Sequence, residues 1–280
     1  MPLRRRSGPV TATVMATELI TPKLQRVRLS CPDLPIPQDL PPAAWVRGYF
    51  PAVGATSTAS AAGKPTSVGP WSGGNIELAD TAARAYTITQ LDREAHSFAL
   101  DFVLHGHGPA ARWAAQAEAG QTVQLAGPMG RGKVQPQHQR YLLAGDTTAL
   151  PAIREWLALI PPTVAAAVHI WAPDREEEQP IGGPEETTVS WSFGDSPTMA
   201  DLAETATLAP AGWRPQDRCT KFFVAGEASL ITRVRRVLAA GGPIPPGNLQ
   251  ATPYWRLGQA GAPEPTRDGS PSRRPAPGHQ

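Results

Sequence analysis

Residues 84–89 read RAYTIT. Threonine, tyrosine and isoleucine suit a pleated, half-buried surface, so the stretch is expected to form a β-strand. Side chains on a strand alternate with period two, which sends Arg84 and Tyr86 out of the same face. A guanidinium beside a phenol ring, with the Thr87 hydroxyl next along, is more chemistry than a purely structural strand requires.

The surrounding segments are also strands. VTATVMATELI (10–20), LQRVRLS (24–30) and WVRGYF (45–50) are β-type runs. In SFALDFVLHG, Phe98, Leu100, Phe102 and Leu104 alternate with Ala99, Asp101, Val103 and His105. That period of two gives one wholly apolar face and one carrying Asp101 and His105. QTVQLAG (121–127) adds another strand. Many short strands with one short helix among them predict a small antiparallel barrel. The small-residue stretch from Gly54 to Asn75 is expected to be a flexible loop.

The second half alternates instead. RYLLAG, TVAAAVHIWA, TTVSWSF and KFFVAG read as strands, and ALPAIREWLALI, MADLAETATL and ASLITRVRRVLAAGG as helices. Leu150, Ile153, Leu157 and Ile160 form one helical stripe. Strand followed by helix, repeated, predicts a parallel sheet with helices on its faces. The fold class is therefore β plus α/β: an N-terminal antiparallel β-barrel over residues 8–135, then a C-terminal α/β domain over 138–258. Residues 259–280, rich in Pro, Ser and Arg, are expected to be a disordered tail.

Composition bounds the function. The chain has 280 residues, 41% apolar and 18% charged, with a formal charge of +2. That charge is too small to argue for nucleic acid or a membrane surface. No apolar run approaches the ~18 residues that would span a bilayer. MPLRRRSGPV lacks the apolar core of a signal peptide. The two cysteines, Cys31 and Cys219, show neither metal spacing nor a disulfide framework. A cytoplasmic monomer is expected. His105 and His107 could share a strand face, but no third ligand is near in sequence, so no metal site is expected.

HGHGPAARWAAQ (105–116) places Gly108 and Pro109 just before a helix-forming run. Proline is favoured in a first helical turn, and small residues there let a phosphate approach the free N–H groups of Ala110 and Ala111. Alone, the stretch is as readily a plain capped helix. Paired with RAYT the reading changes. A guanidinium can hold a pyrophosphate, a tyrosine ring can stack on a flat cofactor, and a threonine hydroxyl can bond a ring nitrogen. Together they describe a flavin dinucleotide site.

Eight segments, in order, resemble the siderophore-interacting protein family of flavin-dependent ferric-siderophore reductases, which are similar in architecture to ferredoxin reductases. They are LITPKLQRVRLS, RAYTIT, LDFVLHGHGPAARWA, AGQTVQLAGPMG, YLLAGDTTALPAI, VSWSF, VAGEASLITRVRRVL and PYWRLG, spread over residues 10–258. RAYT is a weak pattern; DFVLHG, GPAARWA and GDTTALPAI are more specific. The resemblance implies an FAD-binding barrel, a nicotinamide-binding α/β domain with NADH or NADPH as donor, and a ferric siderophore as substrate. Another electron acceptor on the same fold, or a non-catalytic siderophore carrier, are the alternatives.

Carried over by residue, the resemblance puts Arg84 on the FAD pyrophosphate, Tyr86 on the isoalloxazine and Thr87, the expected catalytic residue, near its N5. Asp101 and His105 would line the cofactor side of their strand. Gly108, Pro109, Ala110, Ala111 and Trp113 would form a second phosphate and ribityl contact. Asp146 and Thr148 would approach from the second domain, and Ala225, Gly226 and Glu227 would border the nicotinamide or serve as a helix cap. Tyr254, Trp255 and Arg256 would fold back near the flavin. Arg47 and Arg256 are candidates for a basic docking patch. Arg175 is either a reader of a ribose 2′-phosphate or part of a charged turn with Asp174 and Glu176. Three positions depart from the family pattern: Thr89 for Arg, Thr147 for Glu and Pro253 for Gly.

Overall fold

The computed structural model describes residues 8–51, 81–105, 108–130, 132–195, 213–214, 216–240 and 242–259. The expected loop at 54–75, the expected helix at 199–208, His107 and the tail beyond 259 lie outside the described residues.

Seven strands build the first domain. They are β1 (Val10–Thr21), β2 (Leu24–Ser30), β3 (Trp45–Pro51), β4 (Thr81–Thr87), β5 (Thr89–Asp92), β6 (Ser97–Val103) and β7 (Thr122–Met129). All their pairings are antiparallel, in the order β4-β3-β7-β1-β2-β6-β5. The stretch expected as one strand through RAYTITQLD is broken at Ile88. That break closes the architecture. β4 is one edge of the sheet and β5 the other, yet Ile88 alone joins them. The sheet must curl until its edges approach, and the Tyr86 ring of β4 accordingly lies 4.2 Å, centroid to centroid, from Phe102 of β6. Ile88 is buried in the core, with its N–H donating to the Ala44 carbonyl. Inward residues recur with period two, as in Val46 and Phe50, or Phe98, Leu100 and Phe102. The short helix α1 (Pro109–Ala115) packs Ala110, Ala114 and Trp113 against this core.

The second domain is a five-stranded sheet of β8 (Arg140–Asp146), β9 (Ala165–Ala172), β10 (Thr187–Phe193), β11 (Thr220–Glu227) and β12 (Leu249–Trp255). Every pairing is parallel, in the order β10-β9-β8-β11-β12. Helix α2 (Leu150–Leu159) covers one face with Leu150, Ile153, Trp156 and Leu157. Helix α3 (Ala228–Ala239) covers the other with Leu230, Ile231, Val234 and Leu238. The apolar stripe on α2 is buried as the 3.6-residue period requires. PYWRLG proves to be the end of a strand that begins at Leu249. Strand order reverses between β8 and β11, and such a switch point opens a crevice at the carboxyl ends of its strands.

Polar contacts pin the two domains together. Glu177 is 1% exposed, and its carboxylate accepts the Thr21 hydroxyl at 2.5 Å and the Lys23 N–H at 3.0 Å. Lys23 Nζ also meets Asp174 at 2.5 Å. Buried polar groups persist only when paired, so this seam fixes orientation as much as it adds stability.

His169 on β9 is buried, with Nε2 3.0 Å from the Ser192 hydroxyl of β10. Burial pushes its imidazole down to about 4. The group is neutral in the fold, whereas the unfolded chain takes up a proton below its ordinary value of ~6.5. Stability from this residue is thus complete above ~6.5 and is lost as pH falls towards 4, by on the order of 3 kcal/mol. Urea unfolding between pH 7 and 4 should show that decline. His169→Gln should flatten the portion of it that falls between those two values.

Candidate flavin and nicotinamide site

The RAYT strand runs along the edge where the barrel closes. Arg84 stands opposite Gly48 of β3, half-buried, and its guanidinium donates to its neighbour's carbonyl, Ala83 O, at 2.8 Å. No carboxylate among the described residues pairs with it. Tyr86, two residues on and on the same face, packs edge-on to Phe50 and tilted over Phe102. Burial pushes its phenol far above the ordinary range, against the pull of Arg84. Trp113 of α1 completes the aromatic group, 5.2 Å from Phe50 and 5.6 Å from Phe102.

α1 starts at Gly108 with no side-chain cap and with Pro109 in its first turn, as the sequence implied. The His105 ring lies over Gly108, so close that a Cβ there would come within 2.7 Å of its Cε1. His105 is therefore beside the helix start, and exposed. Asp101 goes elsewhere. It lies on the opposite face of β6 from Phe102, where Arg26 of β2 holds it bidentately at 2.7 and 2.8 Å. Alternation fixed the face correctly, but a barrel strand covered on both sides has two buried faces. Asp101 sits on the one turned towards Arg154 and Glu155 of α2.

At the end of β8 the chain turns through Thr147–Ala149 into α2. Asp146 is buried at the switch point, and both its oxygens are engaged. Oδ1 accepts Thr148 N at 2.9 Å and Thr148 Oγ1 at 2.5 Å. Oδ2 accepts Glu227 N at 2.7 Å and Trp255 Nε1 at 2.9 Å. Burial drives its carboxyl upward, and those four donors draw it back. The glycines on either side are space requirements. A Cβ on Gly145 would meet the Ala225 carbonyl at 2.1 Å, and one on Gly226 (φ +134) would meet Asp146 Oδ2 at 2.5 Å.

Glu227 serves as the cap of α3. It accepts Ser229 N at 2.5 Å, the Ser229 hydroxyl and Leu230 N at 3.1 Å. Its other oxygen takes Leu257 N at 3.2 Å. Burial opposes this carboxylate, yet its donors hold it below the usual range. The Ala225–Gly226–Glu227 segment is thus a cap and a lining of the crevice at once.

β12 joins the two half-sites. Trp255 points to Asp146, and Tyr254, on the alternate face, reaches across to Thr87. Burial pushes the Tyr254 hydroxyl far up, with the Thr87 side chain beside it pulling the other way. Thr87 is 8% exposed. The residues brought together are therefore Arg84, Tyr86 and Thr87, the α1 start, Asp146, Thr148, Glu227, Tyr254 and Trp255. Arg175 lies apart, its guanidinium 4.8 Å over the Phe193 ring, in a turn whose Asp174 is paired to Lys23. Phe50 and Phe102 were legible only as core residues; their place behind Tyr86 depends on barrel closure. No group of three metal-ligating side chains occurs among the described residues. No helix among them is long and apolar enough to cross a membrane.

Comparison with known proteins places these features in a family. A family model described as the siderophore-interacting FAD-binding domain matches residues 13–132, and one described as siderophore-interacting protein matches residues 138–258. The chain is 32% identical over 180 residues to the ferric vibriobactin reductase ViuB of Vibrio cholerae, a match covering 63% of this chain and 65% of that relative's length. The crystal structure of a siderophore utilization protein from T. fusca superposes with a TM-score of 0.74 at 26% identity, over 93% of this chain and 97% of that one. The siderophore-interacting protein SipS from Aeromonas hydrophila gives 0.70 at 26% identity, over 90% and 100%. A ferredoxin reductase at 15% identity and a TM-score of 0.61 shares the fold.

Replacing Asp146 with Ala would strand the Glu227 N–H and the Trp255 indole N–H. Each unsatisfied buried donor costs about 1–3 kcal/mol. The urea midpoint should fall accordingly, and amide exchange at Glu227, followed by mass spectrometry, should accelerate while exchange in the barrel strands stays as in the wild type.

Proposed function

This chain belongs to the siderophore-interacting protein family, and from that premise we propose that it is a flavin-dependent reductase carrying electrons from NADH or NADPH through FAD to a ferric siderophore, releasing Fe(II). The observation that supports this most directly is the last strand, where Tyr254 lies beside Thr87 of the barrel edge and Trp255 donates to Asp146 at the switch point. The residues present fit FAD. Arg84 is a guanidinium with no carboxylate partner among the described residues, α1 begins uncapped, and an aromatic group lies between them.

In this reading Arg84 and the N–H groups of Ala110 and Ala111 hold the pyrophosphate. Tyr86, backed by Phe50 and Phe102, presents a rigid ring beside the isoalloxazine. Thr87 offers a hydroxyl near N5. FAD supplies the one conversion the chain cannot, taking two electrons as hydride and giving them up singly. The protein's own part is to position, to exclude water and to admit the donor from the crevice of Asp146, Gly226 and Glu227. Arg256, just beyond β12, would meet an anionic ferric chelate. Fe(II) is held less tightly by hard oxygen ligands, so reduction releases the metal. We place the protein in the cytoplasm as a monomer, consistent with two free cysteines that lie apart.

The test is the visible spectrum of the purified protein with FAD under anaerobic conditions. Bands that bleach on adding NADH or NADPH and return on adding a ferric siderophore, with Fe(II) appearing in a chelator trap, are expected. Bleaching without a response to the siderophore would point to another acceptor. Absence of bound flavin would overturn the enzyme reading. Arg84→Ala should weaken FAD retention at least tenfold, since charge-assisted contacts to phosphate are worth ~1.5–3 kcal/mol. Full flavin occupancy in that variant would refute the pyrophosphate assignment.

A further inference from the structure

The corner that closes the barrel is held from outside its own domain. Glu155, in the middle of α2, accepts the Thr89 hydroxyl at 2.8 Å. The backbone N–H of Gln90 lies close enough to this carboxylate to favour its charged form. Thr89 is buried, and Gln90 sits at φ +49, a backbone state uncommon for a residue with a side chain. Such a conformation persists when its surroundings impose it. Here the imposing group belongs to the second domain, 66 residues along the chain from Thr89.

What this corner carries is Thr87, two residues before Thr89 on the same run of chain. What α2 carries at its other end is the Thr147–Ala149 turn, nucleated by Asp146. Glu155 therefore closes a short rigid circuit: Asp146, the turn, one and a half turns of helix, Thr89 and Thr87. An open pocket of ≈ 320 Å³ adjoins this contact, lined by Arg26, Thr89, Gln90, Arg154, Glu155 and Gln179 among others.

We propose that Glu155 is a positioning residue: by holding Thr89 and Gln90 across the seam between domains, it sets Thr87 in register with the crevice at Asp146 and so governs hydride transfer to the flavin. This rests on the flavin reading above. A displacement of an ångström at such a site costs on the order of a hundredfold in rate, with little change in binding.

The experiment compares FAD-loaded wild type with Glu155→Met, Thr89→Val and the double variant, using anaerobic stopped-flow bleaching by NADPH and by NADH. FAD dissociation constants are measured alongside. The expected result is FAD affinity within about threefold of wild type in all four, and a limiting bleaching rate lowered roughly ten- to a hundredfold in each variant. The donor concentration for half-saturation should be little changed. The double variant should be no slower than the worse single, because both changes break one contact. A purely structural contact would lower melting temperature and flavin occupancy and leave the bound flavin's bleaching rate intact, which would overturn the proposal. So would multiplicative rate losses in the double variant. Thr89→Val is nearly isosteric, so its result decides the matter if Glu155→Met folds poorly. A wild-type protein that binds no FAD, or that neither donor bleaches, overturns the flavin reading and this inference with it.

Discussion

A carboxyl group buried at the switch point of a parallel sheet must have both its oxygens satisfied. Asp146 meets that demand with four donors drawn from three places: its own turn, the start of α3 and the last strand. Much of the second domain follows from this. Gly145 and Gly226 are required because β8 and β11 approach too closely for a Cβ. Glu227 must present its backbone N–H to Asp146 while its side chain caps α3. β12 must end with an indole within reach of Oδ2. One acceptor thus ties a turn, a helix start and a C-terminal strand into a single crevice.

The first domain depends on a different constraint. One residue, Ile88, separates a strand at one edge of the sheet from a strand at the other. No flat sheet allows this, so the curl that brings Tyr86 over Phe102 is imposed by chain connectivity as well as by packing. Edge strands are hazards unless paired or covered. Here α2 covers the corner, through Glu155 on Thr89, and the Glu177 seam covers the β1–β2 hairpin. Both devices use a carboxylate of the second domain to satisfy donors of the first. The domain interface is consequently also what completes the barrel.

Local features were legible in sequence. Period-two alternation marked β6, the apolar stripe marked α2, and the order of elements marked the change from antiparallel to parallel sheet. RAYT and GPAARW could be placed on a strand and a helix start because their chemistry is local. Asp101 shows where such reading ends. Its face was readable, but whether that face met a cofactor or Arg26 depended on a partner 75 residues away. Glu155 and Glu177 stand in runs that look like solvated helix and turn surfaces. Their partners at Thr89, Thr21 and Lys23 lie 66, 156 and 154 residues distant, and no spacing rule reaches so far. Tyr254 stood within a recognised motif, PYWRLG, yet its proximity to Thr87 required the two domains to be assembled.

That last contact constrains how the two half-sites can work together. The Tyr254 side chain lies beside the Thr87 hydroxyl and borders the space in front of it. The strand carrying Tyr254 has little freedom to withdraw. The next residue, Trp255, is bonded to Asp146, and Leu257 is bonded to Glu227. The segment is thus anchored just after Tyr254, to the same acidic pair that lines the crevice. Tyr254 is thus a side chain on an anchored backbone, and rotamer exchange of one ring is a small, fast motion compared with separating two domains held by buried carboxylates.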